Sequence, residues 1–253
     1  MDTTVKETFI RLWQKYFNNA ELPVVFYYTD DENCAPKVKA TTEHRCIIAD
    51  IARVRKGRSL SFDLESISCF GGKRYLGFSE TIRPHFEYFL SYGIPGEMEG
   101  ERYKKTPEIV NEVMKTMPLF KAPGRYIVFK RWDKLNANDN PEVVIFFNRP
   151  DVISGLFTLA NYDETDRNGV FSPFGAGCAT IVLYPYLEKN SAHPRSVLGM
   201  FDISARPCIP AGVITLAVPI NKFLPMIDNM DESFLTTASW NKVYKRIKAS
   251  NEK

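Results

Sequence analysis

Histidine is scarce in this chain. Its 253 residues hold only His44, His85 and His193. None lies near a G-x-S-x-G turn, so nothing supports a serine-hydrolase arrangement. No two cysteines are spaced C-x-x-C, the strongest sequence sign of a thiolate metal site or a dithiol redox motif. A P-loop is absent, because no Gly-Lys-Ser/Thr follows any Gly-rich stretch. Neither is there an excess of one charge: 33 basic side chains face 30 acidic ones, a net charge of +3. That balance argues against a nucleic-acid partner, which calls for a basic stripe on one face. The densest basic run, Arg53-Val54-Arg55-Lys56-Gly57-Arg58, reads as the end of a helix, with cations on the negative end of the dipole and Gly57 as its stop.

Long apolar runs are missing too. No stretch reaches the 18 or so apolar residues of a membrane span. The opening Met1-Asp2-Thr3-Thr4-Val5-Lys6 lacks the basic and apolar regions of a signal peptide, so the expected location is cytoplasmic. In that setting Cys34, Cys46, Cys69, Cys178 and Cys208 are expected to be reduced thiols.

Apolar residues make up 44% of the chain and aromatic residues 13%, enough for a well-filled core. Phe9, Trp13, Tyr16 and Phe17 recur at helical spacing within residues 5–19. Residues 22–28 and 143–147 read as buried strands, and 44–56 as a helix ending at Gly57. Thr106-Pro107-Glu108 is a helix start. Further strands are expected at 66–69, 75–78, 125–130, 179–184, 196–201 and 213–218, with helices at 82–92, 151–161 and 219–248. The fold class is α/β or α+β: a mixed β-sheet with flanking helices, read as one compact unit. Val24-Val25-Phe26-Tyr27-Tyr28 resembles Val143-Val144-Ile145-Phe146-Phe147, and each leads on to a Phe-Gly stretch with a nearby cysteine. Two degenerate halves, 1–120 and 121–253, are one reading; chance is the other.

Chemistry concentrates in a few segments. In Ser68-Cys69-Phe70-Gly71-Gly72 a double-Gly turn could bring backbone N–H groups to a ligand, with Cys69 as nucleophile. A tight turn beside a buried cysteine is the plainer account. In His44-Arg45-Cys46 a helix N-terminus would lower the Cys46 pKa, and Arg45 would clamp an anion. A capped helix with a buried cysteine is again the plainer account. Gly175 and Gly177 precede Cys178, and Arg206 follows an apolar strand with Asp202. Cys46, Cys69, Cys178 and Cys208 could instead converge on zinc or an iron–sulfur cluster, although their long spacings give no support.

These same segments resemble an ArCR-type family of bacterial and archaeal proteins, a domain-of-unknown-function family. The resemblance rests on Arg45-Cys46 before a helix, Ile67-Ser68-Cys69-x-Gly71-Gly72 followed by Leu76-Gly77-Phe78, Gly177-Cys178-Ala179, and Leu198-Gly199. It covers residues 8–230. The chain departs from the pattern at Phe70, where the family has Pro. It departs again in Met200-Phe201-Asp202-Ile203-Ser204-Ala205-Arg206, where the family often carries a Cys-x-Gly-Cys-Arg run. The second departure puts cluster binding in doubt. The resemblance implies a shared fold and site location and transfers no reaction.

The leading expectation is a protein that binds a small molecule or anion between the two Gly segments. The ligand-binding residues would be Arg45, Cys46, Cys69, Gly71, Gly72, Gly175, Gly177, Cys178 and Arg206. A thiol-dependent enzyme using Cys69 or Cys46 and a metal-binding protein are the alternatives. No cofactor is indicated, and Cys34 is expected to be exposed in its polar loop.

Overall fold

The computed structural model describes residues 1–251, without the side chain of Asn251. A seven-stranded mixed sheet forms the middle layer. Its strands are β1 (Val24–Thr29), β2 (Leu60–Phe62), β5 (Tyr126–Arg131), β6 (Val143–Asn148), β7 (Val170–Phe171), β8 (Ser196–Gly199) and β9 (Ile214–Pro219). The spatial order is β2-β5-β1-β6-β9-β8-β7. All neighbours run antiparallel except β7 and β8. A separate hairpin pairs β3 (Gly93–Ile94) with β4 (Met98–Glu99).

Strand β6 shows why the central strands read as continuous apolar runs. Val143, Ile145 and Phe147 point into one core, and Val144 and Phe146 into the other. Both faces are covered, so strand alternation brings no polar residue to the surface. The first core lies under α2 (Ile47–Arg55) and the helical stretch that begins at Ala179. The second lies under α1 (Thr3–Phe17), α6 (Pro150–Leu159), α8 (Ile220–Asp228) and α9 (Ala238–Asn251). In α1 the expected aromatic face is buried, and Trp13 stacks on Phe17 with ring centroids 4.4 Å apart.

The sheet's strand order has an internal regularity. In β1, β2 and β5 the first strand is innermost, the second outermost, and the third lies between them. Strands β6, β8 and β9 repeat that order, and β1 pairs antiparallel with β6. The two Phe-Gly segments occupy different places in this scheme. Residues 70–72 follow the outer strand of their set, whereas 174–177 precede the outer strand of theirs.

Several local expectations are corrected. Residues 66–69 and 75–78 are not strands, and Gly71-Gly72 is not a turn at positive φ. Both glycines lie in α3 (Phe70–Tyr75), a short helix capped by Cys69. Residues 179–184 form a helix, not a strand: a π-helical segment, Ala179–Leu183, runs into α7 (Tyr184–Glu188). Parallel strands need a crossover, and this helix supplies it between β7 and β8. Its residues 179–183 are buried all round, so they carry no period that separates strand from helix. The helix expected at 82–92 shrinks to α4 (Phe86–Leu90), because Pro84 precedes it and His85 sits at φ 57°. The stop at Gly57 is as expected, with φ +92°. So is α5 (Pro107–Thr116), whose cap Thr106 accepts the Ile109 N–H. Cys34 is half-buried beside Tyr27, Ala35 and Val128, not exposed.

Candidate thiol site

Two helices begin at a cysteine, and a third cysteine lies in the first turn of another. Cys46 is the N-cap of α2 and Cys69 of α3, while Cys178 is the second residue of the helical stretch that opens at Gly177 and runs into the π-helical segment. The fold brings these N-termini together on one face of the sheet. Cys46 lies within electrostatic reach of Cys208 and Cys69, and Cys178 within reach of Cys69 and Cys46. Cys208 ends a 3-10 turn, Arg206–Cys208, that packs on α2. All four thiols are free.

Burial governs their chemistry. Desolvation pushes the Cys46 thiol up to about 11, outweighing the backbone N–H of Ile48 that faces its sulfur. Cys178 is 7% exposed, and burial drives its pKa well above the ordinary thiol value. Both are neutral thiols at pH 7, the opposite of the lowered Cys46 pKa expected from the helix dipole. Cys69 is half-buried and receives the Gly72 N–H on its sulfur at 3.5 Å.

The glycines earn their place by packing. A Cβ on Gly72 would lie 2.9 Å from Ile67 Cγ2. One on Gly177 would lie 2.9 Å from Ala205 Cβ and 3.0 Å from Met200 Sδ. Around Gly71 and Gly175 there is more room, with the nearest atoms being ring carbons of Tyr75 and Tyr184 at 3.5 and 3.4 Å. Tyr75 is buried, and its pKa is raised by burial and then by the neighbouring Cys178.

The two arginines are already engaged. The Arg45 guanidinium pairs with Asp50, and its backbone N–H donates to Ser68 Oγ at 3.0 Å. Arg206 donates to the carbonyl oxygens of Val213 and Met200, which fastens the turn after β8. The Gly177 N–H is also taken, by Asp202 Oδ2 at 2.9 Å. Asp202 further accepts from the backbone N–H and hydroxyl of Ser204, at 3.0 and 2.7 Å. Met200, between β8 and Asp202, holds φ at 68°, a left-handed conformation uncommon outside glycine.

Sequence reading missed the apolar rim. Phe70 follows Cys69, Phe174 precedes Gly177, and Phe201 and Ile203 flank Asp202. These four are 52%, 56%, 55% and 68% exposed. Lys104 Nζ stands 4.0 Å over the Phe174 ring, and Tyr103 lies within reach of Asp202 and Ser204. The segment after β4 therefore borders the same place. The only sequence signal was a large apolar residue set directly against glycine or aspartate, a combination that is no core pattern.

Among the described residues, no three His, Cys, Asp or Glu side chains are gathered so that they could hold a metal ion. Two open surface grooves lie elsewhere. One runs along α5 at Glu108, Asn111 and Lys115, and the other follows the β3–β4 hairpin.

The profile of the family described as uncharacterised ArCR, domain of unknown function 169, matches residues 14–229. The chain belongs to this family. The ArCR match runs from within α1 to just past α8, so it takes in the whole sheet and all four thiols of the site. Comparison with curated proteins and with solved structures gives no match. Among the described residues of this ArCR chain, no helix is long and apolar enough to cross a membrane.

Proposed function

We propose that this protein binds a small molecule with an apolar body at the mouth formed by Cys46, Cys69, Cys178 and Cys208. The observation that carries this reading is four exposed apolar side chains, Phe70, Phe174, Phe201 and Ile203, on the segments that carry or adjoin Cys69, Cys178 and Cys208. Isolated exposed apolar residues need no explanation; several that flank one group of convergent polar atoms do. Within the wider expectation of a small molecule or anion, a free anion is the weaker occupant. The guanidinium groups of Arg45 and Arg206 and the Gly177 N–H already have acceptors, and Asp202 adds negative charge.

A thiol-dependent enzyme is the second reading, and it falls on Cys69. The Gly72 N–H fixes the direction of its sulfur, whereas the raised pKa of Cys46 makes that residue a poor nucleophile at pH 7.

Native mass spectrometry of the purified protein tests the binding reading. The expected result is a non-covalent small-molecule adduct that is lost on denaturation and weakened by Phe174→Ser and Phe70→Ser. Both variants should keep the wild-type melting temperature, since both rings are more than half exposed. An adduct equally occupied in wild type and in both variants would place the ligand elsewhere.

A further inference from the structure

The four thiols are not equivalent. Cys178 is buried, and the Cys69 sulfur is turned to the Gly72 N–H. Cys46 and Cys208 are both half-buried and both pack against the core beneath α2; Cys46 caps α2, and the 3-10 turn that ends in Cys208 packs on that helix. The segment carrying Cys208 has short-range bonds, Ala205 and Arg206 N–H to the Asp202 carbonyl and Cys208 N–H to that of Ala205, and is anchored by Arg206 to the Val213 carbonyl and by the Gly177 N–H to Asp202. The same segment carries the exposed Phe201 and Ile203.

We propose that Cys46 and Cys208 form a reversible dithiol–disulfide pair, oxidised by low-molecular-weight disulfides of the glutathione type, that fastens the 200–208 segment to α2. The Cys208 thiolate attacks one sulfur of the small disulfide and expels one thiolate. The small thiolate fraction of Cys46, its proton given to solvent, then attacks the mixed-disulfide sulfur of Cys208 within the same molecule and expels the second, slowly because the Cys46 pKa is raised. Two protein thiols lose two electrons and two protons, and one small disulfide leaves as two thiols. The linked state would hold Phe201 and Ile203 fixed at the mouth. That consequence rests on the binding reading above; formation of the bond does not.

The five cysteines fall on five different tryptic peptides, so every pairing is distinguishable by mass. The intact native protein is incubated at pH 8 with glutathione disulfide, quenched by alkylation, digested without reduction and mapped. The expected product joins the peptide that begins at Cys46 to the one holding Cys208. It should disappear on adding reduced glutathione, persist in Cys69→Ser, and be absent in Cys208→Ser. A Cys46–Cys69 link, mixed disulfides only, or no oxidation at all would each overturn the proposal. Native mass spectra without any adduct would overturn the binding reading and leave the peptide map unaffected.

Discussion

Gly177 donates its backbone N–H to Oδ2 of Asp202 at 2.9 Å, and this bond joins the loop before the π-helical segment to the turn after β8. The contact is close because neither partner has bulk between them. A Gly177→Val side chain would begin 2.9 Å from Ala205 Cβ and 3.0 Å from Met200 Sδ, in a buried place. Overpacking of this kind costs about 1–3 kcal/mol. Urea unfolding of Gly177→Val should show that loss, and Gly175→Ala, which meets only ordinary contacts, should not. Equal losses at both positions would count against the packing account.

The raised pKa of Cys46 has a sign that can be measured. The fold favours the neutral thiol, because burial penalises the thiolate. The resulting stabilisation is fully present below the unfolded thiol's pKa of about 8.5. It is lost as pH rises through about 11. Alkylation of Cys46 by iodoacetamide, followed on its own peptide, should therefore still be accelerating between pH 9 and 10.5. Cys178 should stay unmodified until the protein unfolds, given its 7% exposure. A Cys46 rate that levels off near pH 9 would refute the burial argument.

Elements that carry a period or a stop signal were legible in the residues. The α1 aromatic face, the Gly57 terminus of α2, the Thr106 cap and the paired apolar strands β1 and β6 all follow from spacing or turn chemistry. Ala179-Thr180-Ile181-Val182-Leu183 was not, because a segment buried on every side shows no face. The Gly71-Gly72 pair misled for a related reason. Two glycines signal a turn, but here their lack of a side chain serves close packing inside a helix, against Ile67 in the case of Gly72. The convergence of Cys46, Cys69, Cys178 and Cys208 depends on sheet order and on the crossover helix, neither of which spacing encodes. The engagement of Arg45 by Asp50, five residues on, was not legible either, because Arg45 precedes α2 and helical spacing pairs residues only three or four apart.

Away from the thiols, the strongest stability prediction concerns a buried ion pair. Lys130 Nζ lies 2.8 Å from Asp139 Oδ1, with side-chain exposures of 5% and 4%. Asp139 also accepts the Tyr27 hydroxyl and the Asn136 N–H. Removing only the cation strands a buried carboxylate, which costs about 3–5 kcal/mol. Lys130→Met should show this in urea unfolding, and Lys130→Met with Asp139→Asn should recover part of it. A single variant within about 1 kcal/mol of wild type would mean that the pair is solvated.

Gly72 separates two kinds of glycine requirement. Its φ is not positive, so a substitution carries no left-handed strain. Helix propensity alone would even favour replacement, by about 1 kcal/mol for alanine. Against this, the new Cβ would lie 2.9 Å from Ile67 Cγ2, and Ile67 is held in the core at 3% exposure. The steric term should win for a β-branched residue, so Gly72→Val is expected to lose about 1–3 kcal/mol. If the clash with Ile67 is the cause, truncating that side chain must relieve it. Ile67→Ala will itself cost about 2–5 kcal/mol through the cavity it leaves. The double variant should then be more stable than the sum of the two single losses predicts, because the valine occupies space the isoleucine vacates. Strict additivity across this cycle would show that Gly72 is required for some reason other than its contact with Ile67.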